Sequence, residues 1–340
     1  MYRFALILLL AAPPALAGGR IFGSADVQAS SEPVSIDDMV NGWEGDFQPG
    51  TYAYADARLV FGAEINGWQL SREQRWYYYL KFSRDTSRFY YNLENDLAAD
   101  DVYGLDLDVR SFHGNGIRLG KALRLQDWQF TPSFAFYHIS EFQIGRLQGV
   151  SAAGSEVSAS ATLDYHFDED KILEYQADVP QGQGYSLDLM TEYSGFEHWQ
   201  LQLTLGDLLN YWYLPDAAYT TGCINLGSAS ASVCSSSGSA SGRSGQDDYS
   251  TQIPVTFDGH ASYVPAQLDV ALYIHGRYRR LSLEKDWTTP LGEAGVSLHS
   301  TRQLGLHWRS RYHELSLVTD NQQLHDARDL QIRLLLQWPW

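Results

Sequence analysis

From Tyr52 onward, the chain alternates apolar and polar residues in segments of about ten residues. In segment 102–111, one side carries Tyr103, Leu105, Leu107 and Val109. The same alternation recurs at 156–167, 185–193, 198–205, 268–276, 280–287 and 312–319. Gly, Asp, Asn, Ser and Pro separate the segments, and helical periodicity is nowhere sustained. This pattern predicts an all-β protein.

The polar sides of these segments carry charges of both signs: Asp106, Asp108, Arg110, Asp188 and Glu192. Aromatic residues gather toward the segment ends: Tyr165, Phe167, Tyr193, Trp199, Trp287 and Trp308. A soluble β-sandwich also alternates, but charged inner faces and terminal aromatics are typical of a membrane-spanning barrel with a hydrated lumen. We therefore expect the five charged residues to line such a lumen.

The first residues resemble an export signal. Arg3 precedes an apolar run that ends at Ala12, and Ala15 and Ala17 form a small-x-small cleavage site. The run is too short for a transmembrane helix, which needs about 20 apolar residues. Residues 1–17 are thus expected to be a signal peptide. Residues 18–50 show no strand period and are expected to form an irregular periplasmic segment, with a short helix capped by Ser35.

The last strand-like segment is apolar at every second position: Leu330, Ile332, Leu334, Leu336, Trp338 and Trp340. This pattern resembles the closing strand of bacterial outer-membrane β-barrel proteins as a class, without pointing to a particular family. The resemblance implies recognition by the barrel-assembly machinery. It also implies a position in the cell outer membrane, in contact with its lipid and lipopolysaccharide.

The resemblance implies an up-and-down antiparallel barrel over 51–340, for which we count about 17 candidate strands, whereas bacterial barrels have an even number. Segments 294–299 and 303–309 are short, and their large apolar residues all lie at even-numbered positions, so we interpret the two segments as one strand. The result is about 16 strands, with about 14 to 18 tolerable. This merge places the long Ser/Gly-rich loop at about 207–250 on the periplasmic side, whereas long loops usually lie outside. The loop either stays outside or folds into the barrel as a plug.

Two cysteines, Cys223 and Cys234, lie within this loop. In an exported protein such a pair is expected to form a disulfide. A metal site is not favoured, because no histidine lies nearby and the spacing is wrong.

No motif predicts a catalytic residue, a metal ligand or a cofactor. The segment from Gly114 to Lys121 departs from the phosphate-loop spacing, and Asn115-Gly116 favours a hairpin turn instead. There is no GxSxG or HExxH motif, although a barrel hydrolase could assemble its residues from separate strands. The formal net charge of -17 argues against nucleic-acid binding.

Arg277, Arg279 and Arg280 form a basic cluster in an acidic chain. Guanidinium groups bind phosphates well, so the cluster could contact lipopolysaccharide or line a constriction. The alternative is a solvated hairpin tip.

Two functions fit these patterns. A barrel with a charged lumen predicts a channel or transporter for small solutes. The alternative is a non-conducting barrel that serves as a scaffold or docking partner for an envelope or surface assembly.

Overall fold

The computed structural model describes residues 18–154, 158–170, 175–227, 233–234 and 240–340. The predicted signal peptide lies outside the described residues. The strands are β1 Gly19–Ser31, β2 Tyr52–Ile65, β3 Trp68–Phe82, β4 Gly104–Lys121, β5 Leu123–Leu125, β6 Trp128–Ala152, β7 Ser158–Phe167, β8 Glu169–Asp170, β9 Tyr175–Gln176, β10 Gly182–Tyr193, β11 Trp199–Leu226, β12 Ala240–Thr251, β13 Thr256–Tyr263, β14 Leu268–His275, β15 Tyr278–Thr289, β16 Gly292–His299, β17 Leu304–Arg309, β18 His313–Thr319 and β19 Asp329–Pro339. The helices are α1 Ile36–Asn41 and α2 Arg84–Glu94, with 3-10 turns at Val264–Ala266 and Leu324–Asp326.

Fourteen of these strands close a barrel, in the order β1-β2-β3-β4-β6-β10-β11-β13-β14-β15-β16-β17-β18-β19. Every neighbouring pair is antiparallel, and β19 pairs with β1 from Arg20↔Pro339 to Ser30↔Asp329. The predicted all-β antiparallel barrel is therefore confirmed, at the lower end of the expected strand number. Closure leaves no sheet edge, which is the condition for strands to cross a bilayer.

The expectation of an irregular periplasmic segment over 18–50 is wrong, because its start is a barrel strand and α1 lies at the end of the barrel opposite the paired termini. Gly19–Ser31 is the first barrel strand and pairs with both β2 and β19. Its outward side includes Gly23, Ala25 and Ala29, whose small side chains make the alternation weak in the sequence. The short helix was predicted correctly, because the Ser35 side chain accepts a hydrogen bond from Asp38 N at the start of α1.

The merge of segments 294–299 and 303–309 is also wrong. They are separate strands, β16 and β17, joined by a tight turn in which Arg302 adopts a φ of 63°. The apolar residues of both strands lie at even-numbered positions because Leu298 pairs directly with Leu304 across the hairpin. Separating them places the 207–250 insert at the end of the barrel opposite the paired termini, as expected for a loop outside.

The Asn-Gly hairpin predicted at residues 115–116 does not exist, because Gly114, Asn115 and Gly116 lie inside β4. A Cβ atom at Gly116 would collide with the Phe136 carbonyl oxygen and with the Tyr137 ring. The glycine is needed for close packing inside the barrel and not for a turn.

The two ends of the barrel differ. At the end where Gly19 meets Trp340, the connections are short, such as 66–67 and 290–291. The opposite end carries α1, α2 and a sheet in which β7 and β12 pair with extensions of β6 and β11. In outer-membrane barrels, short turns face the periplasm and long loops face outward, so we name the two ends periplasmic and extracellular.

The predicted disulfide between Cys223 and Cys234 is present in the extracellular extension.

The outer wall is apolar. Large side chains that face outward and remain exposed include Leu59, Phe61, Leu70, Ile117, Leu119, Leu272, Leu281, Leu283, Leu298, Leu304, Leu306, Leu315 and Leu334. A girdle of exposed tryptophans lies on the outer wall near the periplasmic turns: Trp68, Trp128, Trp199, Trp287 and Trp338. Tyr165 and Phe167, expected at a girdle, are instead buried in the extracellular extension. So large an apolar surface belongs in lipid, and the chain is a membrane-spanning barrel of the outer-membrane type. Among the described residues, no helix is long and apolar enough to cross a membrane.

Candidate functional site: the barrel lumen

The periplasmic half of the lumen is lined by polar side chains. Its inward-facing carboxylates are Asp26, Glu64, Glu192, Asp258, Asp269, Glu284, Asp286, Glu293 and Glu314. The guanidinium groups there are Arg20, Arg124, Arg309 and Arg333. Negative charge therefore dominates this half, which favours cations over anions.

At mid-height, charged side chains from strands that are not neighbours in the barrel meet. Arg75 on β3 donates to both carboxylate oxygens of Asp56 on β2, at 3.1 and 2.8 Å. It also donates to both oxygens of Asp207 on β11, at 2.8 and 2.9 Å. Arg58 adds a hydrogen bond of 2.9 Å to Asp56. Arg75 and Asp207 have no solvent exposure, so each charge depends on the other for compensation.

A second ion pair lies beside the first. Arg118 on β4 donates to Glu73 on β3 at 2.7 Å and contacts Asp188 on β10. Tyr137 donates its hydroxyl proton to Glu73 at 2.7 Å and accepts from Arg118 at 3.1 Å. These bonds extend the charged layer from β3 to β10.

Asp207 reaches this layer because β11 bulges. Asp207 adopts a φ of 55°, which aspartate tolerates better than most residues. The pairing of β10 with β11 shifts between Leu187 and Leu189, and the Asp188 carboxylate accepts a hydrogen bond from Asp207 N at 2.7 Å. The bulge turns the Asp207 side chain inward.

Aromatic rings cover the extracellular side of the charged layer. Phe112 packs on Trp212 with ring centroids 4.1 Å apart, and on Tyr77 at 5.1 Å. The Arg75 guanidinium lies 5.3 Å from the Tyr77 ring centroid, a cation–π contact that joins the two layers. Trp212 and Tyr77 are buried.

Hydrogen bonds across the barrel complete this barrier. The Tyr54 and Tyr273 hydroxyls are 3.0 Å apart, and Tyr77 lies 2.9 Å from His275 Nε2. We call the two layers together the mid-barrel partition; its members are Tyr54, Asp56, Arg58, Glu73, Arg75, Tyr77, Phe112, Arg118, Tyr137, Asp188, Asp207, Trp212, Tyr273 and His275. Below it, a cavity of about 250 Å³ lined by residues such as Asp26, Asp258 and Arg333 opens toward the periplasmic half. The members named here lie on strands of the barrel wall.

The structure separates the lumen residues suggested by the sequence. Asp188 belongs to the partition, and Glu192 lies in the periplasmic half, where it accepts from Gln129 at 2.8 Å. Asp108 and Arg110 form an ion pair of 3.3 Å in the extracellular half. Asp106 is exposed near the extracellular rim.

The basic cluster is divided in the same way. Arg277 donates to the Thr51 and Phe82 carbonyl oxygens at the extracellular end, at 3.1 and 3.3 Å. Arg279 is exposed, whereas Arg280 is buried with its guanidinium 5.5 Å from the Tyr273 ring. Arg277 therefore lies in the turn before β15, and Arg279 and Arg280 point to opposite sides of the wall, so the three do not form a single phosphate site.

The predicted assembly signal forms the outward side of β19. Leu330, Ile332, Leu334, Leu336 and Trp338 alternate with Arg333 and other inward residues. Trp340 pairs with Gly19 through backbone hydrogen bonds of 3.0 and 3.4 Å, and its ring lies over that glycine.

The outer wall contains a cleft beside the β11 bulge. Its volume is about 510 Å³, and its lining includes Phe134, Tyr185, Leu209, Ile253 and Val255. Strand pairing is interrupted here, since β12 ends at Thr251 and β13 begins at Thr256. The Asn210 side chain bridges the interruption by accepting from Ile253 N at 2.8 Å.

Comparisons with known proteins reveal only distant similarity. No protein-family profile matches the sequence, and no curated protein matches it. A deltaS2S3 mutant of the TodX monoaromatic hydrocarbon channel is 10% identical, with 96% of this chain and 91% of that chain covered and a TM-score of 0.45. The Pseudomonas putida toluene transporter TodX is 8% identical, with coverage of 96% and 90% and a TM-score of 0.41. The Ralstonia pickettii toluene transporter TbuX is 10% identical, with coverage of 96% and 90% and a TM-score of 0.31. These values assign no family.

Proposed function

We propose that this protein is an outer-membrane channel for small polar solutes, whose passage requires the mid-barrel partition to rearrange. The observation that carries the proposal is a closed barrel with a polar lumen, which is interrupted at mid-height by side chains of its own strands. Among the described residues the partition contains no separate domain, so we expect a path to open by movement of its side chains. The proposal assigns the chain no enzymatic activity.

The charge of the lumen suggests the solute class. In the periplasmic half, carboxylates outnumber guanidinium groups, so a permeating anion would meet repulsion along this part of the path. Small cations and neutral polar solutes are therefore the proposed substrates.

Liposome swelling tests this proposal. Folded protein is reconstituted into liposomes, and swelling is followed in a neutral sugar, in lysine and in glutamate. We expect swelling faster than in protein-free liposomes, with lysine and the sugar passing faster than glutamate. Swelling no faster than in protein-free liposomes would contradict the channel. A stoichiometric partner co-purified from native membranes would then favour the scaffold function.

A second candidate function rests on the wall cleft. An apolar solute could leave the barrel sideways, since Ile253 separates the cleft from Trp212 in the partition. The toluene transporters named above make a monoaromatic hydrocarbon the obvious probe. Leu209→Trp would fill the cleft, whereas Leu283→Trp changes the outer wall elsewhere. This candidate is supported if Leu209→Trp weakens toluene binding and Leu283→Trp does not.

A further inference from the structure

Two histidines in the periplasmic half of the lumen each contact two carboxylates, but in different ways. His260 on β13 lies between Asp258 and Asp269. His307 on β17 lies beside Glu284 and Asp286 of β15. The difference between the two clusters suggests a role beyond the proposed channel.

The His260 cluster is complete as an ion pair. Its Nε2 lies 3.1 Å from Asp258 Oδ1, and its Nδ1 lies 3.0 Å from Asp269 Oδ1. A protonated imidazole carries one N–H on each nitrogen, so each carboxylate receives its own hydrogen bond. No additional cation is needed there.

In the His307 cluster, both carboxylates converge on the same nitrogen. Glu284 Oε1 lies 3.1 Å from His307 Nε2, and Asp286 Oδ1 contacts that same atom. A single N–H has one hydrogen to donate, so it cannot serve two carboxylates well. A dication, in contrast, would accept electron pairs from the imidazole nitrogen and from both carboxylates.

The backbone leaves room at the centre of this cluster. Gly295 on β16 pairs with Asp286 on one side and with His307 on the other. A Cβ atom at Gly295 would collide with His307 Nε2 and Asp286 Oδ1. The glycine therefore allows these two side chains to meet above the sheet.

The nearest guanidinium on the same strand is engaged elsewhere. Arg309 lies two residues beyond His307, and its side chain contacts Glu314 at 3.3 Å and Glu293 at 3.8 Å. Glu284 and Asp286 keep 28% and 21% of their side-chain surface exposed, so an ion in the lumen can reach them.

We propose that Glu284, Asp286 and His307 bind a divalent transition-metal ion such as Zn²⁺ or Co²⁺. Their ligand atoms lie within 4.8 Å of one another, so small side-chain rotations would bring all three to a single ion. One imidazole and two carboxylates suit such ions, and lumen water would complete the coordination.

Calorimetric titration of Zn²⁺ into chelator-treated, folded protein in detergent tests the site. We expect His307→Gln to weaken binding at the strongest site by about tenfold or more. Gly295→Ala should weaken it similarly without removing a ligand. His260→Gln is the matched control and should leave this affinity unchanged. Heat-modifiable migration on gels verifies that each variant is folded, and Glu284→Gln replaces His307→Gln or Gly295→Ala if either fails this check.

The proposal is overturned if the wild-type protein does not bind Zn²⁺. It is also overturned if His307→Gln binds as tightly as the wild type, or if His260→Gln weakens binding equally. Binding is measured without solute flux, so the result is independent of the proposed channel.

Discussion

Arg75 and Asp207 form two parallel hydrogen bonds of 2.8 and 2.9 Å in the centre of the barrel, although 132 residues separate them in the chain. Neither side chain has any exposure to solvent. This ion pair links β3 to β11, which β4, β6 and β10 separate in the barrel wall, and anchors the mid-barrel partition.

Replacing Arg75 should therefore be costly. Arg75→Met would leave Asp56 and Asp207 buried and without their main partner, which typically costs about 3–5 kcal/mol. Arg20→Met is the control, because the Arg20–Glu64 pair is 40% and 25% exposed and should contribute only about 0–1 kcal/mol. Urea unfolding followed by tryptophan fluorescence measures both losses. Equal losses would show that the buried pair has no special structural role.

The disulfide should be dispensable for the barrel. Cys223 and Cys234 join residues of the extracellular extension, 11 positions apart, and closing so short a loop contributes at most about 3 kcal/mol. We expect the Cys223→Ser/Cys234→Ser variant to keep its heat-modifiable migration on gels. Loss of the folded band would mean that the extension is required for the barrel to fold.

Trp340 should matter for assembly. It completes the pairing of the two chain ends at Gly19 and continues the alternate apolar pattern of β19. We expect Trp340→Ser to reduce the amount of protein in the membrane fraction and to increase its degradation, because a barrel that closes poorly cannot satisfy its edges in lipid. Trp287→Ser, which changes a girdle tryptophan far from the closure, is the control. Equal membrane levels for the Trp340 variant and the wild type would contradict a role in assembly.

The sequence predicted the outer wall much better than the interior. Alternation is a local property, so Leu334 and Leu336 could be placed on the lipid side from their spacing alone. The first strand was missed because Ala25 and Ala29 carry too little apolar surface to stand out. Strands β16 and β17 were merged because the alternation of apolar residues can continue unchanged across the turn of a hairpin.

The partition could not be predicted, because its contacts are not local. Nothing in the spacing of Arg75 and Asp207 indicates that they meet, and the bulge at Asp207 has no clear sequence signature. The same holds for His307, which meets Glu284 and Asp286 across an intervening strand. Metal motifs are recognised by spacing within one segment, so the sequence predicted no metal ligand there.

Single-channel recording in planar bilayers tests the mid-barrel partition most directly. Phe112→Ala/Trp212→Ala removes two large rings that pack 4.1 Å apart in the partition. Trp199→Ala/Tyr263→Ala removes two rings that pack 5.1 Å apart on the outer wall, away from the cleft, and is the matched control. We predict that the wild type and the control open only briefly and rarely, which is enough for liposome swelling, whereas the Phe112/Trp212 variant shows a stable open conductance. A continuously open wild type, or a folded Phe112/Trp212 variant that conducts no better than the control, would contradict a channel closed by the partition.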